Sequence, residues 1–272
     1  MYQPLKAFDK KLFNQSEEII HRAAQFCAML GKNYLPDQPD DSNANLKFDP
    51  SSKKVISRSV ENGLQLGLDP LKWSFELIKD GDLMDEFEIT GKSKEEIFSW
   101  LKNATGSNGL DKEKLDFISH YEVPDHPIDH GDFFPSLDSN FVEDWLLMRT
   151  NAEHILYRLN QIVGVESEIR IWPHHFDTGS YYEMGEQKAI GAGWAIADTL
   201  CDNPYLYIYG WNGNQDISYE DIPTLSAGKW IIEKNWQGAV IESEDLATNE
   251  IEFSAIDDFM NSVIDFLTKQ LN

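Results

Sequence analysis

Two histidines and an aspartate lie within four residues in the segment WPHHFD at positions 172–177. Imidazole and carboxylate groups exchange protons near neutral pH and bind divalent metals. Read as a strand, the segment places His175 and Asp177 on one face, and we take this pair as candidate catalytic residues. Pro173 complicates the pattern, because a proline within a strand indicates an edge or a bulge. The alternative is a His175–Asp177 hydrogen bond that only satisfies two half-buried polar groups.

A second group of histidines lies in residues 120–139, a stretch rich in proline and aspartate that lacks clear periodicity. His120 opens it, and His126 and His130 follow among several aspartates. Convergence of this stretch with WPHHFD would supply enough ligands for a divalent metal such as zinc or manganese. The alternative is a polar loop in an acidic protein. The metal ligands that we predict are His130, His175, Asp177 and Asp198.

A third candidate is an aromatic ladder on one strand, where aromatic and other residues alternate from position 205 to position 211. Such a ladder could serve as a stacking platform for a small-molecule ligand such as a sugar or a base. We favour the alternative, a core face covered by a helix. The substrate-binding candidates are Trp172, Tyr207 and Trp211.

Gly191 and Gly193 superficially resemble part of a dinucleotide-binding loop, but a lone Gly-x-Gly is a weak signal. No third glycine in a strand–turn–helix context accompanies them. We expect these glycines to allow the close approach of backbone or of a bulky aromatic side chain.

The chain has 272 residues and a formal net charge of −24 at pH 7. This charge repels phosphate backbones and anionic membranes, and it therefore argues against nucleic-acid and membrane partners. Cys27 and Cys201 are too few for a disulfide framework. The N-terminus lacks the apolar core of a signal peptide, and no stretch is long and apolar enough to span a bilayer. We therefore expect a cytoplasmic protein.

Apolar periodicity and capping signals predict an α+β fold in which helices pack on antiparallel sheets. Helices are expected at residues 16–30, from Ser93 onward, at 140–163 and at 254–271. A hairpin is expected at 46–56, and strands at 73–77, 168–176, 189–197, 204–211 and 229–241. We expect one globular unit with an N-terminal half at 1–119, a connecting loop at 120–139 and a C-terminal half at 140–272. Each half reads as helix, strands, helix, which is typical of a duplicated unit.

The segment at residues 171–177, IWPHHFD, resembles a motif of a family of uncharacterised bacterial proteins, in which Leu-Trp-Pro-Glu-His-Phe-Asp precedes a glycine-containing stretch ending in aspartate. A Pro-Tyr-Leu-Tyr strand and a tryptophan follow in that family, as they do here at residues 204–207 and at Trp211. The likeness extends from about Glu168 to the C-terminus. It implies kinship and no reaction. It matches His175, Asp177 and Asp198 to family residues, whereas His174 replaces the family's glutamate.

Two functions follow from these patterns, and the sequence leaves both open. The first is a metal-assisted or acid–base enzyme, similar to a hydrolase, that acts on a small polar substrate at His175 and Asp177. The second is a non-catalytic protein that binds a small ligand or serves as a scaffold. In the second case WPHHFD is structural, and the aromatic ladder lines a pocket or core.

Overall fold

The computed structural model of the chain describes residues 2–117, 121–213, 215–248 and 251–272; His120 lies outside them. Within these residues the chain forms five α-helices and two antiparallel sheets, and this confirms the predicted α+β class. The same residues contain no helix that is long and apolar enough to cross a membrane.

The helices and strands have the following bounds. The helices are α1 Lys10–Tyr34, α2 Lys94–Ser107, α3 Ser139–Val163, α4 Ser243–Thr248 and α5 Phe253–Leu271. The first sheet contains β1 Lys47–Asp49, β2 Lys54–Ile56, β3 Leu64–Asp69, β4 Ser74–Lys79 and β5 Asp82–Glu88. The second sheet contains β6 Arg170–Trp172, β7 Asp177–Gly185, β8 Lys188–Ala195, β9 Tyr205–Trp211, β10 Lys229–Ile232 and β11 Gln237–Glu242.

The chain divides into two units whose boundaries differ from the predicted ones. The N-terminal unit comprises Gln15–Leu146 and Ile171–Phe176, and the C-terminal unit comprises Met1–Asn14, Leu147–Arg170 and Asp177–Asn272. The WPHHFD segment is therefore divided, because its first five residues belong to the N-terminal unit and Asp177 belongs to the C-terminal unit.

The order of elements recurs in the two halves of the sequence, but the strand order does not. Strands β1 to β5 are arranged in sequential order in the first sheet, whereas the second sheet has the order β10-β11-β9-β8-β7-β6. Because β11 pairs with β9, strand β10 lies at the edge of the sheet. The helix–strands–helix pattern that we read from the sequence is thus present without a shared sheet topology.

Helix α1 is longer than the sequence predicted at both ends. Asp9 precedes it and accepts a hydrogen bond from the Leu12 N–H at 3.0 Å, whereas Ser16, where the predicted helix begins, lies inside the helix. Gly31 does not end the helix. A Cβ atom at Gly31 would lie 2.1 Å from the Asn43 carbonyl oxygen, so the glycine allows a close backbone approach.

The remaining helices agree closely with their predictions. Ser93 and Glu96 form the predicted capping box at the start of α2. Helix α3 differs from the predicted range by one residue and ends at Gly164, which has φ +74°. Helix α5 buries the five predicted apolar residues, Ile256, Met260, Val263, Ile264 and Leu267.

Two lysines hold a buried carboxylate on the first sheet. Glu76 is 4% exposed and accepts hydrogen bonds from Lys54 and from Lys72, the latter at 2.8 Å. Burial opposes ionisation of Glu76, but the hydrogen bonds from the two lysines outweigh it and lower its pKa below the ordinary 4.5. The ionised carboxylate therefore stabilises the folded state.

We expect Glu76→Gln to lower the free energy of unfolding at neutral pH by about 1–3 kcal/mol. Because the folded-state pKa is depressed, the stabilisation is present above the unfolded pKa and is lost as the pH falls through the folded value. The difference between the parent and the variant should thus narrow below pH 4.5 in urea titrations. Glu88→Gln, at an exposed position on β5, is the matched control. A parent–variant difference that does not change with pH would contradict this assignment.

Trp145 on α3 is fully buried in the N-terminal unit. Its indole N–H donates to Glu17 Oε1 at 2.9 Å, and its ring meets Phe48 edge-on at a centroid distance of 6.2 Å. The apolar residues whose spacing of three or four predicted this helix are buried, except the half-buried Ile162: Phe141, Trp145, Met148, Ala152, Ile155 and Leu159.

Trp145→Ala should therefore cost about 3–5 kcal/mol in the free energy of unfolding. Trp145→Phe should cost less, because it keeps an aromatic ring and loses the bond to Glu17 and only part of the buried volume. Chemical denaturation followed by circular dichroism measures both variants. If Trp145→Ala were as stable as the parent, this position would not belong to the core.

Candidate ligand-binding face and the histidine turn

The WPHHFD segment is a turn between two strands. Strand β6 ends at Trp172, residues 173–176 form the turn, and β7 begins at Asp177. The Phe176 N–H donates to the Trp172 carbonyl at 2.7 Å. The strand predicted for residues 168–176 is therefore wrong beyond Trp172, and the facial pairing of His175 with Asp177 does not follow.

The same turn occurs at three places within the described residues. Residues 50–53, 70–73 and 173–176 each begin with proline and end in the left-handed conformation, at Lys53, Trp73 and Phe176 with φ between +53° and +56°. Proline fixes the φ angle that opens such a turn. The hairpin predicted at residues 46–56 contains the first of these turns. The same signal, a proline at the start of the turn, was present at Pro173.

Two side chains of α1, the buried His21 and the half-buried Gln25, hold the turn at residues 173–176, which we call the histidine turn. His21 Nε2 lies 2.8 Å from the Pro173 carbonyl oxygen and must carry the proton, because the carbonyl can only accept. Gln25 Nε2 donates to the same oxygen at 2.9 Å. Tyr121 donates in turn to Gln25 Oε1 at 2.6 Å. These bonds fix both the turn and the segment that begins at Tyr121.

The Phe176 ring is fully buried between two other rings. It stacks on His21 at a centroid distance of 4.8 Å and an interplanar angle of 8°, and it lies at 6.2 Å and 16° from Trp145. A bulky residue in the left-handed region is strained and persists only where its surroundings fix it. This stacking provides that restraint.

The turn histidines lie at the surface of the N-terminal unit. His175 is exposed, and His174 and Trp172 are half-buried. The His174 ring lies 4.3 Å from that of His175 and 5.6 Å from that of Tyr121. The proline-rich stretch therefore approaches the turn through Tyr121.

The loop histidines have local partners. His130 Nε2 lies 2.7 Å from Asp125 Oδ1, and both side chains are exposed. His126 Nδ1 accepts a hydrogen bond from the Ile128 N–H at 3.2 Å and caps the short helical turn Pro127–His130. Burial and the positive charge of Arg22 lower the pKa of His126, which favours the neutral ring that can accept this bond.

The predicted metal ligands are distributed over both units. His130 and His175 belong to the N-terminal unit, whereas Asp177 and Asp198 belong to the C-terminal unit. Among the described residues, no group of three or more His, Cys, Asp and Glu side chains has an arrangement that could hold a metal ion. The metal-assisted mechanism thus gains no support from the geometry.

The aromatic ladder lies on the side of the second sheet that faces away from α5. A Cβ atom at Gly210 would lie 3.0 Å from Leu267 of α5, so this helix covers the face that carries Leu206, Ile208 and Gly210. Helix α5 therefore covers the side opposite to the ladder, and part of the ladder packs instead in a small core cluster that contains Tyr205 and Cys201. We call the side with the ladder the tyrosine face; it carries Tyr205, Tyr207, Tyr209, Trp211 and Trp236.

Three aromatic rings lie against glycines on the tyrosine face. A Cβ atom at Gly193 would lie 2.5 Å from the Tyr207 hydroxyl, and one at Gly191 would lie 2.3 Å from the Tyr209 ring. At Gly238, a Cβ atom would lie 2.6 Å from the Trp236 ring. The expected close approach of a bulky aromatic to Gly191 and Gly193 is confirmed. The glycines leave space for one side of each ring next to the backbone.

Two carboxylates bind tyrosine hydroxyls of this face. The Tyr207 hydroxyl donates to Asp177 Oδ2 at 2.5 Å, and the Tyr205 hydroxyl donates to Asp198 Oδ2 at 2.9 Å. Burial and the nearby carboxylates raise the pKa of both tyrosines above the ordinary value of 10, so both keep their protons. Asp177 is only 6% exposed.

Asp198 also organises the loop that follows β8. Its Oδ1 accepts hydrogen bonds from the backbone N–H groups of Leu200 at 2.7 Å and Cys201 at 3.3 Å. Cys201 then packs with Tyr205 in a small cluster on the same face. The carboxylate predicted as a metal ligand therefore has local structural partners.

Exposure increases along the ladder. Tyr205 is buried, Tyr207 and Tyr209 are half-buried, and Trp211 is 43% exposed. Of the predicted substrate-binding residues, Tyr207 and Trp211 thus share the tyrosine face. Trp172 lies in the N-terminal unit.

Sequence reasoning missed Trp236, His21 and Gln25. Trp236 stands two residues before Gly238, which is the spacing of one strand face. His21 and Gln25 are one helical turn apart in a part of α1 that is otherwise apolar except for Arg22, and this spacing could have indicated a polar anchor.

No family model, curated protein or solved structure matches the chain. The resemblance to the uncharacterised bacterial family therefore stays a prediction.

We expect Gly193→Ala to lower the free energy of unfolding by about 1–3 kcal/mol, because the new Cβ atom would displace Tyr207. The added atom would also lie 2.8 Å from the Thr178 carbonyl oxygen. Combining it with Tyr207→Phe, which removes the clashing hydroxyl, should cost less than the sum of the single changes. Gly67→Ala, whose nearest contact would be the Ile78 side chain at 3.3 Å, is the control. Strict additivity in urea denaturation would show that Gly193 and Tyr207 are not coupled.

Proposed function

We propose that the protein binds a small organic ligand on the tyrosine face of its C-terminal unit and that WPHHFD is a structural turn. The observation that carries this proposal is the placement of Tyr207, Tyr209 and Trp236 against glycines. The backbone supports one side of these half-buried rings, and the accessible aromatic surface is available for contact. Rigid aromatic surface with a few fixed polar groups is typical of small-molecule sites.

The structural alternative is that the rings only cover the glycines. Aromatic side chains do compensate for glycine in sheets. The exposure of Trp211 and of Tyr181, at 43% and 41%, favours a binding role, because two further large aromatic side chains remain open to solvent. A purely protective cover has no need for them.

The acid–base enzyme ranks second. His175 is an exposed residue of a turn in the N-terminal unit. Asp177 accepts the Tyr207 hydroxyl in the C-terminal unit, where this bond contributes to the tyrosine face. The binding proposal thus explains both residues without any proton transfer. Asp177 contributes to the tyrosine face, and His175 is part of a structural turn. The net charge continues to argue against a nucleic-acid ligand.

A thermal-shift screen with three classes of probe tests this function: quaternary ammonium salts, neutral sugars and small carboxylates. At least one class should raise the Tm of the parent protein by mass action. The same class should raise the Tm of Tyr209→Leu clearly less, because this variant loses the aromatic surface at the centre of the face.

Tyr157→Leu is the matched control, since Tyr157 is a 62% exposed tyrosine on α3. It should respond to the probe as the parent does. The proposal is overturned if no class raises the Tm or if Tyr209→Leu responds like the parent.

A further inference from the structure

Three of the rings on the tyrosine face lie next to one another with their planes inclined. The ring centroids of Tyr207 and Tyr209 are 6.0 Å apart with 31° between their planes. Those of Tyr209 and Trp236 are 6.5 Å apart with 55° between the planes. We call these three side chains the aromatic corner. Because glycines support one side of each ring, the surface left for a ligand is mainly aromatic.

Two hydroxyls of the ladder are committed to the protein. The hydroxyls of Tyr207 and Tyr205 donate to Asp177 and Asp198. A sugar would require free donors and acceptors at fixed positions around it, since polar ligands lose affinity when their hydroxyls stay unpaired. The aromatic corner instead offers ring faces, whose negative quadrupole attracts cations.

The electrostatic surroundings also favour a positive ligand. Burial raises the pKa of Tyr205, Tyr207 and Tyr209, and the charge of Asp177 raises it further in each case. Glu183 acts on the exposed Tyr181 in the same direction, after burial. The whole chain carries −24 charges, which raises the local concentration of cations.

We propose that the ligand of the tyrosine face is an organic cation, an alkylated ammonium group seated in the aromatic corner with its charge directed toward the Asp177 side. This inference rests on the proposed function and names the chemical class of its ligand. Alkyl groups on the nitrogen lower the cost of removing the cation from water and increase its contact with the rings. Recognition of quaternary ammonium groups by aromatic cages uses the same physics.

Isothermal titration calorimetry with choline and with its uncharged carbon isostere, dimethylbutanol, tests this inference on the full chain. The two probes have nearly the same shape and differ in charge, so any preference reports the cation. We expect choline to bind at least about tenfold more tightly, the ratio that corresponds to a cation–π contribution in the middle of its usual range. Glucose is the neutral sugar probe and should not bind.

Three variants test which residues cause the preference for choline over dimethylbutanol. Tyr209→Phe keeps the ring and should retain choline binding, whereas Tyr209→Leu should weaken it on the order of tenfold. Asp177→Asn removes the charge and keeps an acceptor for the Tyr207 hydroxyl. It should reduce choline affinity and leave dimethylbutanol unaffected. Circular dichroism of each variant shows whether it is folded, and Tyr157→Leu again serves as the control.

The outcomes separate this inference from the proposed function. Equal affinity for choline and dimethylbutanol, or binding of glucose alone, overturns the inference that the ligand is a cation. The proposal that the tyrosine face binds a ligand then still stands. Choline binding that Tyr209→Leu does not weaken places the cation elsewhere and overturns the aromatic corner as its site. A parent protein that binds none of the probe classes, in the calorimeter or in the thermal-shift screen, overturns both proposals.

Discussion

The tyrosine face depends on the absence of side chains at three strand positions. Gly191, Gly193 and Gly238 each stand where a Cβ atom would collide with an aromatic ring. Glycine in a strand costs conformational entropy and offers no side chain for packing. The rings of the neighbouring tyrosines and of Trp236 offset this cost by covering the exposed backbone. The sheet is therefore covered by α5 on one side and by its own aromatic residues on the other.

The histidine turn shows how residues that suit catalysis can serve structure. The Pro173 carbonyl accepts hydrogen bonds from two side chains of α1, and Phe176 is held between two rings. A strained left-handed residue requires such support. Phe176 and His21 therefore stabilise the turn together. His174 and His175 lie between Pro173 and Phe176, in the middle of the turn and at the surface.

Much of the fold could be predicted because the apolar pattern of a helix extends over many consecutive residues. The stripe of α3 and the capping box of α2 extend over several turns, so local exceptions do not hide them. Strand β7 was missed because its inward residues are polar: Thr178 and Ser180 are buried, and Thr178 accepts a hydrogen bond from Arg149 at 2.9 Å. Strand β5 is an exposed edge with four acidic residues, and it lacks apolar alternation as well.

The candidate site could be predicted only in part, for a related reason. Alternation from position 205 to position 211 correctly separated two strand faces, but it does not tell which face a helix covers. That choice depends on Leu267, which lies more than fifty positions away in sequence and packs at Gly210. The signal that distinguishes the two faces is instead the glycine pair on β8, since large rings and glycines must lie opposite each other. Paired strands with tyrosine on one and glycine on the other thus indicate an aromatic face more directly than the histidines indicate a catalytic site.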